Sequence, residues 1–279
     1  MTLAAGLERP VAARPRRKRR PIGPVTGGTA AIGTATMAVL FAAWFVASGS
    51  GWVSPLFLPS PAEVAQQFVD IWTLGYADGT LPQHIASSLG RILLALAVSI
   101  AVGIPLGLAM GLNRWAKGIF SVPIDLYWGL PPLAYLPLLI IWLGIGEVSK
   151  VVLLTLSAFA PIVFSAQAGV RAVPAERLNA ALALGANRRQ LFLDIILPSA
   201  LPEILTGIRI AIAAAWSTLV AAELIAARSG LGYMIMSASN FLATDVVFVG
   251  LIIIAALSFA FSGGMRWIER RFVPWKGKL

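Results

Sequence analysis

Residues 179–198 read NAALALGANRRQLFLDIILP, and the reading of that stretch decides the fold. Residues 175–184 carry a helical pattern, Gly185 interrupts it, 187–195 read as a second short helix, and Pro198 and Pro202 stop that helix. The unit is too polar and too broken to cross a membrane. The chain around it is neither: of 279 residues 58% are hydrophobic and 12% charged, far from the balance of a soluble domain. A helix, a hinge and a helix therefore stand between two membrane spans where a short loop would serve. Leu191, Phe192 and Ile195 form an apolar edge at i, i+1 and i+4 beside Arg188 and Arg189, a pattern that suits a groove on a partner. An amphipathic helix lying on the membrane surface is the other reading of the same residues.

Outward from this unit, the spans are found by length. A hydrocarbon core of about 30 Å takes roughly 20 helical residues, and uncharged windows of that size fall at 29–48, 92–112, 126–146, 151–170 and 246–265. Residues 204–227 contain Arg209 and Glu223, yet nothing else there returns the chain across the bilayer, so the expectation is an all-α integral membrane protein with six transmembrane helices. With both termini cytoplasmic, only Arg91, Lys150 and Arg228 of the 22 Lys and Arg lie on the outer side, the asymmetry of the positive-inside rule. The net charge of +10 is then topology and contact with anionic lipid, not a nucleic-acid surface. RPRRKRR at 14–20 reads as the flank that fixes the first span, and 29–48 as an anchor that is longer than a signal-peptide core. Without cysteine there is no disulfide, thiol chemistry or Cys-based metal site.

Inside this frame, Ser60, Pro61 and Glu63 have capping-box spacing and start a short outer helix. Its apolar residues Val64, Phe68, Ile71 and Trp72 either lie on the interface or pack against the bundle. Gly103, Gly107 and Gly111 put a glycine on one helix face every fourth residue, where two backbones approach closely, and Pro105 bends that span. Pro131, Pro132 and Pro137 interrupt the third span, with Asp125 at its inner end; broken helices at membrane depth occur where they are buried in protein or line a cavity, a merely kinked structural span being the alternative. Arg209 and Glu223, about 21 Å apart along one helix, cannot pair. Arg209 snorkels to the inner headgroups, whereas the short Glu223 faces an aqueous pathway or bonds to another span. Asp125, Pro131, Pro132 and Glu223 are thus the pathway or gate candidates; if a solute on such a path were an anion, the Glu223 charge would repel it and no direct ligation is expected there.

The chain lacks a G-x-x-x-x-G-K-[ST] phosphate loop, so it is not expected to bind ATP or any other cofactor itself. His84 is its single histidine, which excludes a multi-histidine metal site; it reads as an ordinary outer-loop residue. No Ser/His/Asp set falls at recognisable spacing, so no catalysis is expected here.

Set against the pattern E-A-A-x-x-x-G, followed further on by an apolar residue, Leu and Pro, the opening stretch supplies Asn179, Ala180, Ala181, Gly185, Ile196, Leu197 and Pro198. It resembles the cytoplasmic EAA loop of permease subunits in binding-protein-dependent ABC importers. The resemblance extends through LPSPAEV from Leu58, IPLGLAMG from Ile104, PPLAYLPLLIIWLGIGEVSK from Pro131, SGLGYMI from Ser229 and TDVVFVG from Thr244, and points to the nitrate/sulfonate/taurine branch. It implies an ABC importer type I-like permease fold over 29–270, with a coupling loop at 171–202 and cytoplasmic tails at 1–28 and 271–279. It also implies a second permease copy in a homodimer, ABC ATPase subunits that hold the ATP, an extracytoplasmic solute-binding protein, and a place in the bacterial plasma (inner) membrane. Glu176, Asn179, Ala180, Ala181, Gly185, Arg188, Arg189, Leu191, Phe192 and Pro198 would then couple to the ATPase. Gly230 to Met234 resembles the family's outer re-entrant loop, an ordinary loop being the alternative. One departure stands out: the leading acidic residue of the pattern is Asn179 here, and Glu176, one helical turn earlier, could take its contact. An ion-coupled carrier working alone is the competing class; it calls for intramembrane titratable groups beyond Glu223 and an internal repeat, and neither is visible.

Overall fold

The structure is a computed structural model that describes residues 29–51 and 53–275; the basic tail at 1–28 and the last residues, 276–279, lie outside the described part. Among the described residues there are helices and turns but no strand. Helix α1 (Thr29–Gly49) falls largely in a unit of its own, Met1–Trp44, and is exposed from residue 31 to 43.

The second unit, Phe45–Leu279, carries the rest. In order these are α2 (Pro61–Thr73), α3 (Leu81–Leu112), α4 (Arg114–Trp128), a 3-10 turn (Pro132–Tyr135), α5 (Leu136–Leu143), α6 (Glu147–Arg171), α7 (Ala175–Ala183) and α8 (Arg188–Gln190). A π-helical stretch (Leu191–Ile196), α9 (Leu197–Ala226), α10 (Leu231–Asn240) and α11 (Thr244–Phe272) complete it. Five helices among the described residues are long and apolar enough to cross a membrane, and the pair Arg114–Trp128 with Pro132–Leu143, bent by 94°, is the sixth when the two are counted as one broken span. The six-span expectation holds.

At the centre, α6 packs on α3 and α9, and glycine decides how closely. A Cβ on Gly107 would lie 2.7 Å from that of Ala166, and one on Gly111 2.6 Å from that of Val170, so any larger residue drives α3 off α6. Gly169 does the same toward α9, where a Cβ would meet the Ala200 carbonyl at 2.8 Å. Ile92, Leu96, Leu154, Ala158, Ala215, Trp216 and Leu219 fill the core between these helices. The outer helix takes the packing alternative: α2, capped by Ser60 and Glu63, seats Val64 and Ile71 and lies against α11.

Three expectations are corrected. The second span starts not at Ile92 but at Leu81, because Gln83 Oε1 accepts from the Thr80 N–H at 2.8 Å and starts the helix early. His84, read as a loop residue, is therefore on α3 and 1% exposed. Asn113 caps the next helix, α4, by accepting from the Trp115 N–H at 2.8 Å. The third correction bears on function. Pro198 and Pro202 do not stop the second loop helix; Arg188–Ala226 is one helix of 39 residues. Pro198 has no N–H, and in a regular helix its ring would collide with the carbonyl four residues earlier. The π turn before it opens the ladder by one residue, the Leu197 N–H reaching the Phe192 carbonyl, so the helix passes the proline unbroken.

Candidate functional site

Three features of the bundle carry chemistry or mechanics. The first is the unit from α7 to α9. Gly185 joins α7 to α8 at φ +82°, with open space around it, so the residue is glycine for its left-handed backbone and not for want of room. Asn187 caps α8, accepting from the Gln190 N–H at 2.9 Å while Gln190 returns a bond to the Asn187 N–H. Glu176 and Asn179 are both exposed on α7, one turn apart, and Ala180, Arg188 and Arg189 are exposed with them; Ala181 is half-buried. Leu191 and Phe192 are half-buried, packed with Leu178 on Ile196 and Ala200, and Pro198 is half-buried at the start of α9. The apolar residues left facing out are Leu182, Leu184 and Leu193, with Leu184 89% exposed.

The second feature is the break in the third span. Between α4 and the 3-10 turn, Gly129 to Pro132 line an open cavity of about 400 Å³ with Trp128, Ser157 of α6, and Ala214, Ser217 and Thr218 of α9. The two prolines singled out as pathway residues thus reach a cavity together. Asp125 does not: it is exposed on α4, and its carbonyl accepts from the Gly129 N–H at 3.1 Å. Thr218 is 7% exposed and lines the cavity.

Glu223 belongs to the third feature, a buried polar cluster at the end of the bundle remote from α7. Its carboxylate accepts from Arg91 Nη1, from Ser88 Oγ at 2.8 and 2.9 Å, and from the Gly232 N–H at 2.9 Å. Arg91 also holds Glu147 through Nε and Nη2, and gives its remaining donors to the carbonyl and hydroxyl of Ser229, so every N–H of the guanidinium is used. Lys150 completes the charge balance by donating to Glu147 at 2.7 Å. Two cations thus meet two carboxylates, and Arg91, Lys150 and Glu223 are all under 5% exposed.

What this cluster holds is the start of α10. Gly230, at φ +118°, leads into that helix, and its N–H donates to His84 Nδ1 at 3.1 Å. The Leu231 N–H goes to Ser88 Oγ at 2.9 Å and the Gly232 N–H to Glu223. Three orphan donors of a helix N-terminus are met by side chains, one of them an anion placed where the helix dipole favours it. Because Nδ1 accepts, the His84 proton is on Nε2, which donates to the Tyr76 carbonyl at 2.8 Å. Beside it in the connecting loop, burial first and then the charge of Asp245 push the Tyr76 phenol above its ordinary value.

Ser88 goes unremarked in the sequence, and His84 and Arg91 read there only as an outer-loop residue and an outer-side charge, although a signal that joins them exists. They stand at i, i+4 and i+7, and the same face continues as Ala95, Ser99, Gly103 and Gly107, all buried. A polar stripe in line with a buried glycine stripe marks an internal network, whereas the residue types alone look like loop.

With this geometry in hand, the comparisons are specific. The family described as binding-protein-dependent transport system inner membrane component matches residues 103–274. The taurine transport system permease protein of Escherichia coli K12 is 51% identical over 245 residues, covering 88% of this chain and 89% of that protein. A nitrate import permease protein of Synechocystis is 29% identical, covering 94% and 96%. Among solved structures, an inward-facing form of the MetNI methionine ABC transporter superposes with a TM-score of 0.55 at 18% identity, over 68% of this chain and 94% of that one.

Proposed function

The chain belongs to the binding-protein-dependent transport system inner membrane components, as a multi-pass ABC importer permease of the taurine, sulfonate and nitrate branch, and from that premise we propose a specific machine. Two copies form the path by which a small sulfonate of the taurine type enters the cell. ATPase subunits on the cytoplasmic side bind the ATP, and a binding protein outside delivers the cargo. The identity of 51% to the taurine permease supports this cargo over nitrate.

The observation that carries the reading is mechanical. Arg188–Ala226 is one helix of 39 residues, about 58 Å long at 1.5 Å per residue. Its exposed end, α8, is hinged to α7 at Gly185; further along, Ala214, Ser217 and Thr218 line the cavity at the broken span. Closure of an ATPase pair on α8 moves the cavity wall because the helix runs unbroken from α8 to that wall. Leu182 and Leu184 enter the ATPase cleft, with Glu176 in place of the acidic residue that Asn179 lacks. At the far end, Arg91, Glu223 and α10 form a fixed seal, and Glu223 is a packing contact that does not meet cargo.

The test is reconstitution with the candidate ATPase and receptor. Uptake of labelled taurine is expected only with both present and with ATP, and scrambling 187–195 is expected to abolish ATPase co-purification while membrane expression persists. Glu176→Lys should lower co-purification by itself. Uptake that persists without any nucleotide-hydrolysing subunit would overturn the proposal in favour of a carrier working alone.

A further inference from the structure

α9 and the C-terminal end of α11 border a second open cavity that neither the coupling unit nor the pathway uses. It has a volume of about 480 Å³ and is lined by Arg209 of α9 and by Arg266, Glu269, Arg270, Val273 and Pro274 of α11 and the residues after it. Residues 266, 269, 270 and 273 follow the i, i+3, i+4, i+7 pattern of one helix face, so the face of α11 turned to Arg209 is cationic by construction. Glu269 is the lone carboxylate in the lining among the described residues, 3.8 Å from Arg209. Three guanidiniums against one carboxylate leave a surplus of positive charge. Arg209 is 46% exposed and set within a membrane-crossing helix, so this surplus does not sit in bulk water.

The same face runs on toward the membrane interior without charge. Arg266 lies over the ring of Phe259 at 5.7 Å from its centroid. Phe259, seven residues back, is 72% exposed, and Ile252, seven residues further, is 46% exposed. Each step is about 10.5 Å along the helix. Trp267, 66% exposed, stands beside Arg266 as a side chain suited to the headgroup level. A basic pocket with an apolar strip leading from it into the hydrocarbon has the shape of a phospholipid and not of a free anion.

We propose that this cavity binds the phosphodiester headgroup of an anionic phospholipid, with an acyl chain lying along Phe259 and Ile252. Arg266 and Arg270 supply forked donors to the phosphate oxygens, and Arg209 holds the lipid from the neighbouring helix. The site depends on the spans and not on the identity of the cargo.

The experiment reconstitutes the full chain in nanodiscs of phosphatidylcholine containing phosphatidylglycerol, then counts by native mass spectrometry the lipids that remain bound on release. Phosphatidylglycerol is expected to be enriched roughly tenfold over its bulk fraction. Arg266→Gln with Arg270→Gln should return it near the bulk value, and Arg271→Gln, outside the cavity lining, should leave it enriched. Millimolar inorganic phosphate should not displace it. Equal enrichment in the double variant, or an equal loss in Arg271→Gln, overturns the site. Displacement by phosphate reassigns the cavity to a free anion and overturns the lipid. If the double variant cannot be purified, the wild type decides: absence of enrichment, or its abolition by phosphate, refutes the proposal.

Discussion

Arg91→Met should destabilise the protein more than Glu223→Gln, and the double substitution should recover part of the loss. Among the described residues Arg91 is the only cation that touches Glu223, which is 1% exposed and otherwise held by the Ser88 hydroxyl and the Gly232 N–H. Removing the arginine strands a buried carboxylate, a change that costs about 3–5 kcal/mol when one partner of a buried pair is deleted. Glu147 suffers little, since its side chain is 61% exposed and keeps Lys150. Glu223→Gln leaves Arg91 charged but still held by Glu147 through two nitrogens and by Ser229. Its cost is the amide NH2, which must face either the Arg91 or the Gly232 donor, about 1–3 kcal/mol for one unmade buried bond. In the double variant no unpaired charge remains, so a coupling of about 1–3 kcal/mol is expected between the two sites. Thermal melting in detergent, followed by tryptophan fluorescence, reads the order; 3 kcal/mol corresponds to roughly 6–12 °C for a chain of this size. The reasoning is refuted if Glu223→Gln melts at or below Arg91→Met, or if the double variant shows the plain sum of the two losses.

The glycines give a paired test: Gly107→Ala, whose methyl would sit 2.7 Å from that of Ala166, should lose about 1–3 kcal/mol by separating α3 from α6. Gly118→Ala, with nothing within 4 Å, should be neutral or gain up to about 1 kcal/mol in the same melt. Gly185→Val places a branched residue at φ +82° and should cost about 1–2 kcal/mol locally; ATP-driven uptake should fall while melting of the spans is unchanged, and Gly185→Asn should retain more uptake than the valine variant. His84→Ala removes the partner of the Gly230 N–H and one of the two donors to the Tyr76 carbonyl, which keeps the Gly79 N–H; hydrogen exchange at the start of α10 should quicken by about tenfold or more, for roughly 1–3 kcal/mol of lost hydrogen bonding. An unchanged exchange rate there would mean the ring does not hold α10.

Local chemistry was legible wherever neighbours in sequence settle it. The Ser60 and Glu63 cap, the glycine face of α3, the hinge at Gly185 and the interrupted third span all follow from residues within two helical turns of one another. The placement of Pro131 and Pro132 beside a cavity followed from the same logic, because a helix broken at membrane depth has backbone that must meet protein or water. Pro198 shows the limit of a local rule: proline ends helices by default, and here a π turn whose existence no residue type announces carries the helix through.

The sequence by itself determined the solvent, the number of crossings and the polar unit between the fourth and fifth spans, because these depend on hydrophobic length and on breakers read in order along the chain. Only the tertiary structure decided the roles of Glu223, Arg91 and His84. Their positions are separated by up to 139 residues and meet across α3, α6 and α9, and a charge in a span has no meaning until the group opposite it is known. Burial turns on which helices face one another, and that is a property of the assembled bundle.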